Sequence, residues 1–177
     1  MLRRDAVLRG DFVLASGQRS AYYIDARRVT LSSEGAPLVA RAFLKAMDDL
    51  SVEAVGGLTL GADPIISSIV TVAGMSGRSV DGLIVRKAAK EHGAARRIEG
   101  PLRQGMSVVV VEDTSTTGAS ALEAVDALRW EGAEVRAVIS LIDRDQGARD
   151  LISRADLEYR SIFKAAEIVA VEDHPTE

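Results

Sequence analysis

Short apolar runs alternate with amphipathic stretches along this chain, and their lengths and spacings separate strands from helices. Five apolar runs predict strands, the last of them at a sheet edge: residues 54–59, 82–86, 108–112, 135–142 and 158–163. Three stretches predict helices: residues 33–50, 63–73 and 121–128. Because strands that alternate with helices are typical of α/β proteins, we expect a central, mostly parallel sheet flanked by helices.

The segment 107–120, with the sequence SVVVVEDTSTTGAS, gives the strongest indication of function. Its four valines lack polar alternation, which predicts a central strand that is buried on both faces. Such a strand places Glu112 and Asp113 at its carboxyl end, where open α/β sheets bind their ligands. The next residues offer hydroxyl and backbone N–H groups just before a helix, which favours phosphate binding. They are Thr114, Ser115, Thr116, Thr117 and Gly118.

Acids beside a phosphate-binding loop predict a sugar phosphate as ligand, because ribose hydroxyls donate hydrogen bonds to carboxylates while the phosphate accepts them from amides. The structural alternative is an ordinary strand-to-helix turn, with hydroxyls that cap the helix and acids that face solvent.

Composition narrows the class of protein. The chain has 177 residues, a net charge of −4 and no cysteine. We therefore expect one domain, residues 1–177, without disulfides and without the broad basic surface that binds nucleic acid. The amino terminus lacks the apolar core of a secretory leader, and no apolar run approaches the length of a membrane span. These features predict a cytoplasmic protein that binds neither nucleic acid nor membrane.

Two further segments carry candidate chemistry. Residues 87–105, KAAKEHGAARRIEGPLRQG, are basic and lack a sustained apolar stripe, which predicts a functional loop. The second segment, residues 12–25 (FVLASGQRSAYYID), predicts strand-like stretches on either side of a turn at Ser16 and Gly17. The basic residues at the start of the first segment have the spacing RKxxKxH: Arg86, Lys87, Lys90 and His92.

Together these segments resemble the type I phosphoribosyltransferases and, within them, the orotate phosphoribosyltransferases. The segment VVVVEDTSTTGAS is similar to the wider family's binding site for 5-phosphoribosyl 1-diphosphate. Three features are more particular to the orotate enzymes: the RKxxKxHG loop followed by Ile98-Glu99-Gly100, the FxLxSGxxSxYYxD entry, and Asp143-Arg144 after the predicted strand 135–142. The resemblance extends from about residue 10 to residue 147.

The resemblance implies a type I phosphoribosyltransferase fold with a small hood, made of residues 1–30 and the carboxyl-terminal edge. It implies transfer of phosphoribose to N1 of orotate, which gives orotidine 5′-monophosphate and pyrophosphate in pyrimidine synthesis, with Mg²⁺ as cofactor. Its partners are then small molecules and a second copy of the chain. In the implied homodimer, a mobile catalytic loop, residues 87–105, closes over the neighbouring subunit's site.

The resemblance also implies a role for each site residue. Glu112 and Asp113 would hold the ribose hydroxyls, directly or through Mg²⁺, and residues 114–118 would bind the 5-phosphate. Four basic residues would reach the pyrophosphate: Arg86, Lys87, Lys90 and His92. Three residues would be catalytic: Lys90, His92 and Asp113. Orotate would be contacted by Thr116, Arg144, Tyr23 and Arg19.

One position departs from the family pattern, because Leu60 stands where many relatives have a lysine. A contact to pyrophosphate is then missing, and we expect backbone amides at residues 59–61, or Asp63 through Mg²⁺, to replace it. No direct protein ligand of the metal is predicted, only contacts through water from Asp113 and Asp63.

Several of these residues have structural alternatives. Arg86 could pair with an acid at the strand end, His92 could be a solvated loop residue, and Arg144 could pair with a neighbouring aspartate. Tyr22 and Tyr23 alternate along a predicted strand, so one of them is expected in the core.

Two other functions stay open at the level of sequence. A purine phosphoribosyltransferase would share residues 112–118 but would not need the RKxxKxHG loop or Arg144. An RNA-binding regulator with the same fold would need a basic face, with phosphate contacts that depend strongly on salt.

Overall fold

The computed structural model describes residues 1–13, 19–88 and 97–170, which form two sheets. The smaller sheet is an antiparallel pair of strands, β1 (Val7–Val13) and β2 (Arg19–Ile24). The central sheet has the strand order β5-β4-β3-β6-β7-β8, in which all neighbours are parallel except β4 and β5. Its strands are β3 (Ala54–Leu58), β4 (Asp81–Val85), β5 (Ile98–Glu99), β6 (Ser107–Ser115), β7 (Glu134–Asp143) and β8 (Glu158–Lys164). The predicted α/β architecture is confirmed, with β8 at an edge.

Helices cover both faces of the central sheet and bury two separate apolar clusters. On one face, Phe43 and Ile65 pack in the same cluster as Val109; on the other, Leu128 and Ile152 pack with Val110. A short π-helical segment, Leu2–Ala6, precedes β1. The α-helices are α1 (Arg27–Thr30), α2 (Gly35–Ala46), α3 (Asp63–Met75), α4 (Ala119–Trp130), α5 (Ala148–Ser153) and α6 (Ala165–Val169).

The central position of β6 explains its run of valines. β6 pairs with β3 on one side and with β7 on the other, both in parallel. Val108 and Val110 belong to the cluster under α4, whereas Val109 and Val111 belong to the cluster under α2 and α3. All four side chains are at most 1% exposed, so the strand is buried on both faces, as predicted.

The predicted helix 33–50 is shorter in the structure, where α2 ends at Ala46. Asp48 and Asp49 follow, and negative charge at a helix carboxyl terminus opposes the helix dipole. Met47 nevertheless remains fully buried, because the turn after α2 keeps its side chain in the core.

The β1–β2 hairpin and the carboxyl-terminal helix lie on the same side of the molecule. Arg3 Nη2 donates to the carbonyl oxygen of Glu167 over 2.9 Å, and Arg9 Nη2 donates to that of Val169 over 3.1 Å. The turn predicted at Ser16 and Gly17 lies outside the described residues. The assignment of residues 1–30 and the carboxyl-terminal edge to a hood stays a prediction.

The predicted loop, residues 87–105, differs from the structure in its second half. Ile98 and Glu99 form β5, which pairs antiparallel with β4 at Val85 and Ile84, and Ile98 is buried. A strand of two residues is too short to produce an alternating pattern, which is why the sequence did not reveal it. In the part of the chain described, no helix has the length and apolarity needed to cross a membrane.

Candidate active site

A pocket of about 420 Å³ opens at the carboxyl ends of β3 and β6, beneath the end of β2. This is the edge of the sheet at which α/β proteins bind their ligands. From β6 and the following loop and helix, the pocket is lined by Val111, Glu112, Asp113, Thr114, Thr116, Ser120 and Ala121. The remaining lining comes from Lys87, Arg144 and residues 23–27 and 58–62.

Glu112 and Asp113 both line the pocket, but successive residues of a strand point to opposite faces of the sheet. Glu112 pairs in register with Ser140 of β7, and its Oε2 is buried without a hydrogen-bond partner. Burial raises the pKa of the Glu112 carboxyl to about 7; the nearby Ser115 hydroxyl opposes the rise, and the negative charge of Asp113 adds to it. Glu112 is therefore an unpaired acceptor that a ligand hydroxyl can satisfy.

Asp113 faces the loop that follows β3. Its Oδ1 accepts the backbone N–H of Thr114 over 2.8 Å, and a Cβ added to Gly61 would lie 2.5 Å from that oxygen. Burial raises the pKa of Asp113, while the Thr114 amide and the positive charge of Arg27 oppose the rise. Asp113 is thus held in place from two sides and keeps its carboxylate at the pocket wall.

The hydroxyl residues after β6 divide into two groups. Thr114 and Thr116 line the pocket. Ser115 is fully buried in the interior, and Thr117 Oγ1 accepts the backbone N–H of Ala119 at 3.4 Å, at the start of α4. Gly118 has a left-handed conformation, with φ of +83°, which a residue with a side chain rarely adopts. Two of the hydroxyl residues thus line the pocket and a third bonds the backbone at the start of α4, while phosphate binding by this loop stays a prediction.

Of the four basic site residues after β4, only Arg86 and Lys87 lie within the described residues. Lys87 lines the pocket, whereas Arg86 pairs with Glu99 at 3.6 Å and borders a neighbouring cleft. The strand-end ion pair considered for Arg86 is therefore present. Lys90 and His92 lie outside the described residues, so their roles stay predictions.

Arg144 lies at the carboxyl end of β7 and lines the pocket. Its guanidinium carbon is 5.9 Å from the centre of the Tyr22 ring, and its Nε is buried without a hydrogen-bond partner. Within the described residues Arg144 has no carboxylate partner, because Asp143 accepts the backbone N–H of Asp145 and Asp145 pairs with Lys164. The alternative of a surface pair with a neighbouring aspartate is therefore not observed.

The two tyrosines of β2 alternate as predicted. Tyr22 packs against the apolar core, whereas Tyr23 is 37% exposed and lines the pocket. Arg19, on the same strand, is not among the lining residues; its side chain is 80% exposed and pairs with Asp11 at 3.5 Å. The structure thus brings Tyr23 to the site and leaves Arg19 at the distal end of the hairpin.

Asp25 and Arg27 line the pocket although the sequence did not single them out as site residues. Arg27 Nε donates to Asp25 Oδ1 over 2.9 Å, and the Arg27 charge acts on Asp113. An acidic and a basic residue two positions apart after a strand usually form a surface ion pair, which does not predict a site. The only sequence signal for a functional role was that Asp25 ends the FxLxSGxxSxYYxD segment.

The loop after β3 contains the position that departs from the family pattern. Leu60 is 65% exposed at the pocket rim. Asp63 accepts a hydrogen bond from Thr59 Oγ1 over 2.7 Å, its Oδ1 is buried without a partner, and it borders the neighbouring cleft with Arg86 and Lys87. Within residues 1–13, 19–88 and 97–170, no three acidic or histidine side chains converge on a metal site.

Comparison with curated proteins shows close relatives. The chain is 47% identical over 168 residues to the orotate phosphoribosyltransferase of Streptomyces avermitilis, which covers 94% of this chain and 92% of that protein. It is 51% identical over 151 residues to the enzyme of the same name from Streptomyces coelicolor, with 85% and 83% covered. No family model matches the chain.

Comparison with solved structures agrees. A crystal structure of Mycobacterium tuberculosis orotate phosphoribosyltransferase in complex with Fe(III) dicitrate matches with a TM-score of 0.87, 43% identity, and coverage of 96% of this chain and 95% of that one. The same enzyme in complex with 5-phospho-α-D-ribosyl 1-diphosphate matches with a TM-score of 0.82, 40% identity, and 96% and 94% covered. Adenine phosphoribosyltransferase from Rhodothermus marinus, at 15% identity and a TM-score of 0.63, shares the fold alone.

Proposed function

The chain belongs to the orotate phosphoribosyltransferases, and from that premise we propose that the pocket at the carboxyl ends of β3 and β6 is its active site. The enzyme transfers phosphoribose from 5-phosphoribosyl 1-diphosphate to N1 of orotate, with orotidine 5′-monophosphate and pyrophosphate as products. The observation that supports the site best is the unpaired, buried Oε2 of Glu112, in a pocket that Asp113 and Arg144 also line.

Glu112 and Asp113 bind the ribose of the donor in this proposal. The 2′- and 3′-hydroxyls donate to the two carboxylates, which gives the buried Oε2 of Glu112 the partner that it lacks. Thr114, Thr116 and the amides at the start of α4 bind the 5-phosphate, because a helix amino terminus favours negative charge.

Breaking the bond between C1 and the pyrophosphate oxygen leaves positive charge on the ribose and negative charge on the leaving group. Asp113 and Lys87 line the same pocket, where the carboxylate would stabilise the developing positive charge and the ammonium would stabilise the pyrophosphate. By resemblance to the family, Lys90 and His92 would also contact the pyrophosphate. Positioning and electrostatic stabilisation then supply most of the rate, because the protein forms no bond to the substrates.

Mg²⁺ fits this pocket as a partner of the substrate. It prefers carboxylate and phosphate oxygens and commonly binds through one or two carboxylates plus phosphates. Asp113 at the pocket wall would contact it through water, and so would Asp63, which borders the neighbouring cleft and has an unpaired buried Oδ1. When bound, the ion would neutralise charge on the pyrophosphate and orient it for departure.

Orotate binds between the hairpin and the end of β7. Arg144 offers its N–H groups to the orotate carboxylate, and the Tyr22 ring beneath the guanidinium holds that side chain in place. Thr116 and Tyr23 line the same pocket and contact the base. Arg19, which does not line the pocket, remains only a predicted contact of orotate.

The proposal includes a homodimer in which the catalytic loop of one subunit brings Lys90 and His92 to the site of the other, whereas Lys87 serves the pocket of its own subunit. Exclusion of water is the physical reason for such an arrangement, because a ribosyl cation formed in water would be hydrolysed. The cytoplasmic location predicted from the sequence belongs to the proposal as well.

A base panel tests the function. Purified protein is incubated with 5-phosphoribosyl 1-diphosphate, Mg²⁺ and one base at a time, and nucleotide and pyrophosphate are quantified. Orotate should give orotidine 5′-monophosphate and an equal amount of pyrophosphate, and chelation of Mg²⁺ should stop the reaction. Consumption of adenine or guanine in place of orotate would contradict the substrate assignment. Silence with every base would favour a regulator with this fold.

A further inference from the structure

Arg97 joins three segments that surround the proposed active site. Its Nε donates to the carbonyl oxygen of Arg86 over 2.9 Å, and its Nη2 donates to the carbonyl oxygen of Lys87 over 3.4 Å. The same Nη2 donates to Glu123 Oε1 on α4. The carbonyl of Arg97 in turn accepts the backbone N–H of Arg86 over 2.8 Å. One guanidinium therefore holds the backbone just after β4 and pairs with α4.

The two carbonyls that Arg97 binds lie just past the end of the sheet. β4 ends at Val85, and its pairing with β5 consists of Ile84 with Glu99 and Val85 with Ile98. After Val85, the Arg97 guanidinium donates hydrogen bonds to the carbonyl oxygens of Arg86 and Lys87, which in a longer strand would accept them from the backbone of a neighbouring strand. Its rigid planar arrangement of donors can bind neighbouring carbonyls in one geometry, which the single ammonium of a lysine cannot reproduce.

These contacts connect the proposed binding sites for the two ends of the donor. Lys87 lines the pocket on the pyrophosphate side of the proposal. Glu123 lies on α4, whose first turn follows the 5-phosphate loop and contributes Ser120 and Ala121 to the pocket wall. Arg97 is not among the lining residues, so its effect on a ligand would be indirect.

We propose that Arg97 is a positioning residue for 5-phosphoribosyl 1-diphosphate: by binding the backbone of Arg86 and Lys87 and pairing with Glu123, it fixes Lys87 relative to the phosphate-binding start of α4. Both phosphate groups of the donor are then bound at the spacing that transfer requires. The inference rests on the proposed function, because it assumes that the donor spans these two elements.

Steady-state kinetics of Arg97→Ala, with each substrate varied in turn, tests this role. The KM for 5-phosphoribosyl 1-diphosphate should rise at least about tenfold, whereas the KM for orotate should change less than about twofold. Methylguanidinium added to Arg97→Ala should restore part of the affinity for the donor, which a purely structural defect would not show. Arg97→Lys should resemble Arg97→Ala, because an ammonium cannot serve both carbonyls and Glu123.

Arg160→Ala is the matched control. Arg160 also pairs with two acids, Asp49 at 2.6 Å and Glu158 at 2.7 Å, and donates to the carbonyl oxygen of Ala46, but it does not line the pocket. Its KM values should equal those of the wild type, and methylguanidinium should not change them.

Glu123→Gln provides a second, milder test if Arg97→Ala unfolds at the assay temperature. It should raise the KM for the donor in the same direction, and the double variant should be no worse than Arg97→Ala, because both changes remove one shared interaction. An unchanged KM for the donor in both single variants, or an equal rise for both substrates, would overturn the inference. A wild-type protein without orotate turnover would contradict the proposed function instead.

Discussion

At the scale of single residues, Glu112 and Asp113 have different environments although they are neighbours in sequence. Glu112 has an unpaired buried oxygen, whereas Asp113 is held by the Thr114 amide and faces Arg27. The apolar run before them was enough to predict that both acids reach the strand end. The contribution of Arg27 was not predictable, because it depends on how the hairpin folds over the sheet.

Glu112 should make stability depend on pH. Burial raises its pKa to about 7, above the value of roughly 4.3 expected in an unfolded chain. Between these values the folded state binds more protons, so the free energy of unfolding falls as pH rises and levels off above about pH 7. Glu112→Gln should remove this dependence and stabilise the ligand-free protein at pH 8 by about 2 kcal/mol, with little effect at pH 5.

Urea unfolding of both proteins between pH 5 and pH 9 measures this difference. Glu131→Gln, at the exposed end of α4, is the control and should follow the wild-type curve. A Glu112→Gln variant with the same pH dependence as the wild type would show that Glu112 is not the group responsible.

Arg144 should set the affinity for the orotate carboxylate. Arg144→Ala should raise the KM for orotate by about 10- to 100-fold, because a charge-assisted hydrogen bond contributes roughly 1.5–3 kcal/mol. Its effect on the KM for the donor should be small. Uracil, which lacks the carboxylate, should inhibit the wild type and the variant equally. Arg136→Ala, which removes a surface pair with Glu134, is the control and should leave both KM values unchanged.

At the scale of elements, the pocket at the carboxyl ends of the strands is built from loops whose conformations were not predictable from the sequence. The apolar pattern was enough to predict most strands and helices. α4 ends at Trp130, just before Gly132, whose left-handed conformation (φ of +91°) is typical of the residue after a helix. The two-residue strand β5 and the inward orientation of Ser115 did not follow, because both depend on contacts between distant segments. The same holds for the contact of Gly61 with Asp113.

Gly61→Ala tests that contact. The new Cβ would lie 2.5 Å from Asp113 Oδ1, so the carboxylate or the loop must move. We expect kcat/KM for the donor to fall about 100-fold, because a shift of about 1 Å at a reacting group has effects of this size. Gly74→Ala in α3 is the control: its Cβ meets no atom within 4 Å, and the helix should gain up to about 1 kcal/mol. Equal activity of the two variants would contradict the close contact.

At the scale of the whole molecule, three distant parts of the chain meet at one pocket. Residues 23–27 come from the end of the hairpin and the turn after it, residues 111–114 and Thr116 from the central strand and its loop, and Arg144 from the end of β7. Parallel strands place their carboxyl ends at one edge, which is why the sequence could predict that the last two meet. How residues 89–96 reach a site is not part of the described structure.

Subunit mixing tests the proposed sharing of sites. Lys90→Ala and Asp113→Asn should each be nearly inactive. If Lys90 acts in the partner's site, random exchange between equal amounts of the two variants should restore about a quarter of the wild-type activity, because half of the dimers are mixed and each has one intact site. If Lys90 acts within its own subunit, the mixture should remain inactive.

The most direct measurement of the central claim is the initial rate of ultraviolet absorbance loss of orotate with 5-phosphoribosyl 1-diphosphate and Mg²⁺, for the wild type and for Asp113→Asn. We expect steady orotate consumption by the wild type and a rate at least about 100-fold lower in the variant, which should retain its fold. Orotate consumption that is unaffected by Asp113→Asn would show that the pocket described here is not the active site.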